Sequence, residues 1–126
     1  MPLTARLRDE ENERISNILK RLMGLDYVPE NGDAVIDEAF ADIGLKLQTL
    51  LDFSTKEVIH YLEKSNFDWA NAEQFADFLV ELSRKLPESK FKLTEKASEV
   101  YNYIQTESKT FSVEIYSKIN SIQKEI

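Results

Sequence analysis

The chain of 126 residues contains no cysteine. This removes disulfide frameworks, thiolate metal sites and cysteine nucleophiles together, and it fits a reducing compartment. Glycine and proline number three each. So few breakers argue for long helices over a strand-rich fold with many turns. There is one histidine, His60, so a Ser-His-Asp triad or a histidine-rich metal site within the chain would have to use it. No apolar run approaches the roughly 18 residues of a membrane-spanning helix. The stretch from Met1 to Arg8 turns at once into the acidic run Asp9–Glu13 and carries no apolar signal core. The expected compartment is the cytoplasm.

What is present has an ordinary globular balance, 42% hydrophobic and 31% charged, and points to one folded domain spanning 1–126. The net charge of −7 is unevenly placed. Between Asp26 and Glu81 thirteen acidic residues face three lysines, whereas six lysines balance six glutamates from Glu88 to Ile126. An acidic middle repels phosphate backbones and anionic membrane surfaces, so neither nucleic acid nor a membrane is an expected partner.

Helical periodicity organises the chain. A first helix is expected from Thr4 to Met23, with Leu7, Ile15, Ile18, Leu19 and Leu22 inward. Its charged first half is expected to fray or project. Gly24 follows, then a turn at Pro29-Glu30-Asn31-Gly32. Asp33 is positioned to cap a second helix, Ala34 to about Phe53, with Val35, Ile36, Ala39, Phe40, Ile43, Leu47, Leu50 and Leu51 on its apolar side. Gly44 lies inside that helix, where it costs about 1 kcal/mol against alanine. Close approach of a neighbouring helix is the expected reason. Ser54-Thr55-Lys56-Glu57 is a capping box for a third helix, Thr55–Lys64.

The fourth helix lies within Phe67–Leu86 and is the most clearly two-faced. Phe75, Phe78, Leu79, Leu82 and Leu86 share a face, Asn71 is read as the N-cap with Gln74 as its partner, and Pro87 stops it. Trp69, just before that cap, is expected to staple the helix start. From Lys92 onward no glycine or proline interrupts a stripe that ends in Ile115, Ile119, Ile122 and Ile126. As one helix it would span about 50 Å, so a break at Thr106–Thr110 competes with a continuous or bent helix. A strand at Phe111–Ile115 has no evident partner. The expected fold is an all-α bundle of about five helices with a long, continuous or bent C-terminal helix.

Two groupings carry metal-site chemistry on paper. Glu57-x-x-His60 has the spacing that ferritin-like carboxylate bundles use for iron. At about 100° per residue, however, the pair lies away from Val58, Ile59 and Leu62, and Glu57 already has a capping role. Asp37, Glu38 and Asp42 cluster on the second helix as a Mg²⁺-dependent hydrolase would need, but few basic residues stand near to hold phosphate. A solvated face is the expected reading of these residues. No Gly-rich phosphate loop, nucleophile elbow or zinc spacing occurs. The leading expectation is an interaction or scaffold protein without catalysis or cofactor. It would bind another protein or self-associate as a dimer through Phe111, Ile115, Ile119, Ile122 and Ile126. The alternatives are a metal-dependent helical enzyme using the acidic residues above, and a binder of small apolar ligands in the bundle interior, marked by Gly44 and the phenylalanines.

Overall fold

A computed structural model of the protein describes residues 3–24, 34–109 and 112–125. The fold is all-α, with no strand among the described residues. Among the described residues seven α-helices follow in order: α1 Leu3–Met23, α2 Ala34–Phe40, α3 Leu47–Asp52, α4 Thr55–Lys64, α5 Trp69–Lys85, α6 Lys90–Glu107 and α7 Val113–Glu125. The turn at 25–33, with its capping Asp33, lies outside the described residues, as do the side chains of Leu7 and Val35.

The count exceeds five because two expected helices are each broken, for different physical reasons. The expected helix over 34–53 stops at Gly44, which adopts φ 70° and ψ 27°. The Gly44 N–H donates to the Ala41 carbonyl at 3.1 Å and the Leu45 N–H to the Phe40 carbonyl at 3.1 Å. These are the two bonds of a Schellman ending, which needs a left-handed residue. A Cβ at Gly44 would meet no atom within 4 Å. The glycine is therefore there for its backbone conformation, and the expected close approach of a neighbouring helix is corrected. α4 ends in the same way with Asn66 at φ 58°, where the Asn66 N–H bonds Glu63 and the Phe67 N–H bonds Leu62.

The second break separates α6 from α7. Lys109 takes φ 56°, and Gln105 clamps the far side of the gap. Its amide donates to the Ser112 carbonyl at 3.0 Å and accepts from the Ser112 N–H at 2.9 Å. Ser112 in turn accepts from the Ile115 N–H at 3.2 Å and so caps α7. Of the stretch considered as a strand, Val113, Glu114 and Ile115 form the first turn of this helix instead, and Phe111 lies outside the described residues.

The capping box of α4 is complete, with the Glu57 N–H on Ser54 Oγ at 3.1 Å and the Ser54 N–H on Glu57 Oε1 at 2.9 Å. The N-cap of α5 lies three residues earlier than expected. Asp68, not Asn71, is the N-cap and accepts from the Asn71 N–H at 2.8 Å. Trp69 is accordingly the first residue of the helix rather than a staple ahead of it.

α5 and α6 form the central antiparallel hairpin, joined through the 3₁₀ turn Pro87–Ser89. Trp69 meets Tyr103 and Asp77 meets Tyr101, so the register runs in opposite directions. α1 packs on α5, α4 and α7 pack on α6, and α2 packs on α1. Phe75, Phe78, Leu79 and Leu82 of α5 are buried as their spacing implied, while Leu86 is half-buried at the helix end. Phe40 and Phe78 meet edge to face with ring centres 5.6 Å apart, a geometry that adds to the hydrophobic gain of their burial. Phe40, Phe53, Phe67, Phe75 and Phe78 are thus engaged in packing and Gly44 in a helix ending, while Phe91 is 63% exposed at the surface.

Candidate functional site

The metal-site candidates do not converge. Asp37 accepts from the Leu47 N–H at 2.7 Å and so caps α3 across the chain reversal. Asp42 pairs with Arg21 at 3.4 Å on the surface, Glu57 is held in its capping box, and Glu38 and His60 are exposed. Among the described residues no three carboxylate or imidazole groups come together as a metal cage.

The C-terminal stripe is divided. Ile115 and Ile122 are buried in the chain's own core, and Ile119 packs partly buried against it. Phe111 and Ile126 lie outside the described residues. Docking of α7 is also polar. Lys118 Nζ reaches Glu73 at 2.6 Å and Asp77 at 3.1 Å, and the Tyr101 hydroxyl donates to Asp77 at 2.5 Å. Burial works to lower the Lys118 ammonium, but its hydrogen bonds to Glu73 and Asp77 outweigh this and hold it above the ordinary lysine value. A groove of about 370 Å³ beside this network has an apolar floor that includes Met23, Val80 and Ile122. Its charges satisfy one another, Lys118 with Asp77 and Arg84 with Glu81.

A different groove, also about 370 Å³, opens at the corner where α4 turns into α5, against the C-terminal half of α6. It is built from the polar side chain of Asn12, in the half of α1 expected to fray. Asn12 is only 8% exposed. Its amide donates to the Asn66 carbonyl at 3.0 Å, and its oxygen accepts from the Asp68 N–H at 2.9 Å and from Asn71 Nδ2 at 2.9 Å. Asn71 Nδ2 also donates to the Asn12 carbonyl at 2.8 Å. One side chain of α1 thus ties the left-handed residue that ends α4 to the cap that begins α5. This explains why Asn71 is not the N-cap: its amide is buried and turned toward α1.

On this clamped corner Trp69 stands 42% exposed. Its ring meets Tyr103 at 5.6 Å between centres, inclined at 60°. Among the described residues, the ionisable ones of the lining other than Tyr103 are Glu63 and Asp68, both acidic. Burial first, then the negative charges of Glu63 and Glu107, pushes the Tyr103 phenol above its ordinary value. The sequence signals for this site were the single Trp and the two-residue offset of Tyr101 and Tyr103. That offset buries Tyr101 and turns Tyr103 outward. Nothing local pointed to Asn12.

A third concavity, between the α3–α4 turn and α6, is lined in part by Lys96, whose amine contacts the Lys92 carbonyl at 3.5 Å. Burial lowers its ammonium below the ordinary lysine value.

Comparison of the chain with known protein families, with characterised proteins and with solved structures finds no match.

Proposed function

We propose that the protein is a non-catalytic helical recognition module that binds a partner protein at the Trp69–Tyr103 groove. The exposure of the chain's only tryptophan on a rigid corner carries this reading. A large aromatic ring left half in water gives up part of its hydrophobic stabilisation unless something covers it. Tryptophan and tyrosine are also the side chains that dominate binding energy at protein interfaces. The Asn12 clamp holds the corner before binding, which reduces the ordering cost of association. The cytosol is the compartment we assign, on the absence of cysteine. No helix of the described residues is long and apolar enough to cross a membrane.

A displayed peptide library panned against the full chain and against Trp69→Ala tests the proposal. Peptides that bind the natural chain and lose about ten-fold or more on the variant support it. A library that yields no Trp69-dependent binder refutes it. Trp69→Ala must keep its far-UV circular dichroism for the comparison to hold.

Self-association through α7 is the second reading, favoured by its outer face. Val113 is 68% and Tyr116 53% exposed, one helical turn apart. Because Ile115 and Ile122 are core residues, truncating the helix would test folding rather than assembly. Sedimentation of the full chain beside Val113→Ser/Tyr116→Ser separates the two. A dimer at high micromolar concentration that the double variant dissociates supports this reading, and a natural chain that sediments as a monomer refutes it.

A further inference from the structure

We infer that the groove receives an arginine side chain from a basic segment of the partner protein. The inference rests on the groove being a protein-recognition face, and it names the chemistry that face selects. Glu63 and Asp68 line the groove, and among the described residues no lysine or arginine does. One Asp68 oxygen is occupied by the Asn71 N–H. Glu63 is exposed and takes part in no ion pair among the described residues. A carboxylate beside an exposed indole is a complementary environment for a cation, because ring quadrupole and carboxylate attract the same charge. An acidic or phosphorylated segment would be repelled by the same groups.

Guanidinium fits better than ammonium. It is planar, so it can lie against the Trp69 ring while its N–H groups reach a carboxylate in parallel. It also loses less hydration on leaving water. The groove at the α5–α7 seam lacks this bias, since its acidic and basic groups are already paired with each other.

Trp69 is the chain's single tryptophan, so its emission reports from inside the groove. The full chain is titrated with an acetylated, amidated Gly/Ser peptide carrying a central arginine, and with the same peptide carrying citrulline, lysine or glutamate. The expected result is a saturable change in Trp69 emission, with the arginine peptide bound about ten-fold more tightly than its neutral citrulline match. Glu63→Gln is expected to weaken the arginine peptide by about three- to ten-fold. Glu88→Gln removes the same charge at the opposite end of the α5–α6 hairpin. It should change affinity by less than about two-fold.

Equal binding of the arginine and citrulline peptides overturns the inference. So does equal weakening by the two variants, which would mean attraction to net charge rather than to the groove. Equal affinity for the lysine peptide overturns the choice of arginine. Trp69-dependent library peptides that contain no arginine would sink this inference while leaving the recognition reading intact. The absence of any Trp69-dependent peptide would remove both.

Discussion

Asn12→Ala is expected to destabilise the protein far more than its place in a charged, solvent-facing stretch of sequence implies. Three partners lose a hydrogen bond: the Asn66 carbonyl, the Asp68 N–H and Asn71 Nδ2. Leaving a buried polar group unsatisfied costs about 1–3 kcal/mol each. Asn71 keeps its bond to the Asn12 backbone carbonyl, and the groove admits water to the Asn66 carbonyl, so each term falls at the low end. The sum is about 2–3 kcal/mol. Gain in helix propensity returns up to about 0.7 kcal/mol. Asn17→Ala, at an exposed position of the same helix, isolates that gain and should lie within about 0.5 kcal/mol of the natural chain or above it. Urea unfolding followed by circular dichroism measures both, and Asn71→Ala alone and combined with Asn12→Ala closes a double-mutant cycle whose coupling should exceed about 0.5 kcal/mol. If Asn12→Ala matched Asn17→Ala, the clamp would hold nothing and the rigidity argued for the groove would fall with it. Because Asn12 shapes the groove, its loss should also weaken Trp69-dependent peptides that do not touch it.

Gly44→Ala should cost about 1–2 kcal/mol through backbone strain alone, since a Cβ there meets no atom within 4 Å. Thermal unfolding unchanged from the natural chain would contradict the left-handed ending. Burial holds the Tyr61 phenol up at about 12, and burial with the Asp77 hydrogen bond raises Tyr101 as well. Unfolded tyrosine titrates near 10, so above that value the unfolded chain releases protons that the folded chain keeps, and stability falls as pH rises through about 10 to 12. Ultraviolet absorbance should show tyrosinate from these two residues arising together with unfolding; their ionisation in a chain of native circular dichroism would refute it. Lys96→Met, which removes a buried amine whose folded value is lowered, should be neutral or stabilising by about 1 kcal/mol in urea at neutral pH, and a loss of more than about 1 kcal/mol would show the amine to be a needed partner. Ile122→Ala should cost about 2–4 kcal/mol as a core truncation, whereas unchanged unfolding would return Ile122 to the surface.

Short-range physics made much of the fold legible. Helix faces repeat every 3.6 residues and a capping box closes over four, so the buried sides of α4 and α5 and the Ser54–Glu57 cap follow from neighbours in sequence. The breaks were only half legible, because a left-handed ending needs a residue that tolerates it and a chain reversal that demands it. Gly44 and Asn66 supplied the first, and packing of α3 and α5 decided the second. Both Asp68 and Asn71 are good N-caps by type. The choice between them fell to Asn12, 59 residues from Asn71 along the chain. The isoleucine stripe was visible from its spacing, but a stripe is the same whether it faces its own bundle or a partner. The fold of α7 against α5 and α6 assigned Ile115 and Ile122 to the bundle. The exposure of Trp69 is likewise a tertiary fact: its hydrophobicity was plain in the sequence, but the water it keeps depends on how the polar side chain of a distant helix sets the corner on which it stands.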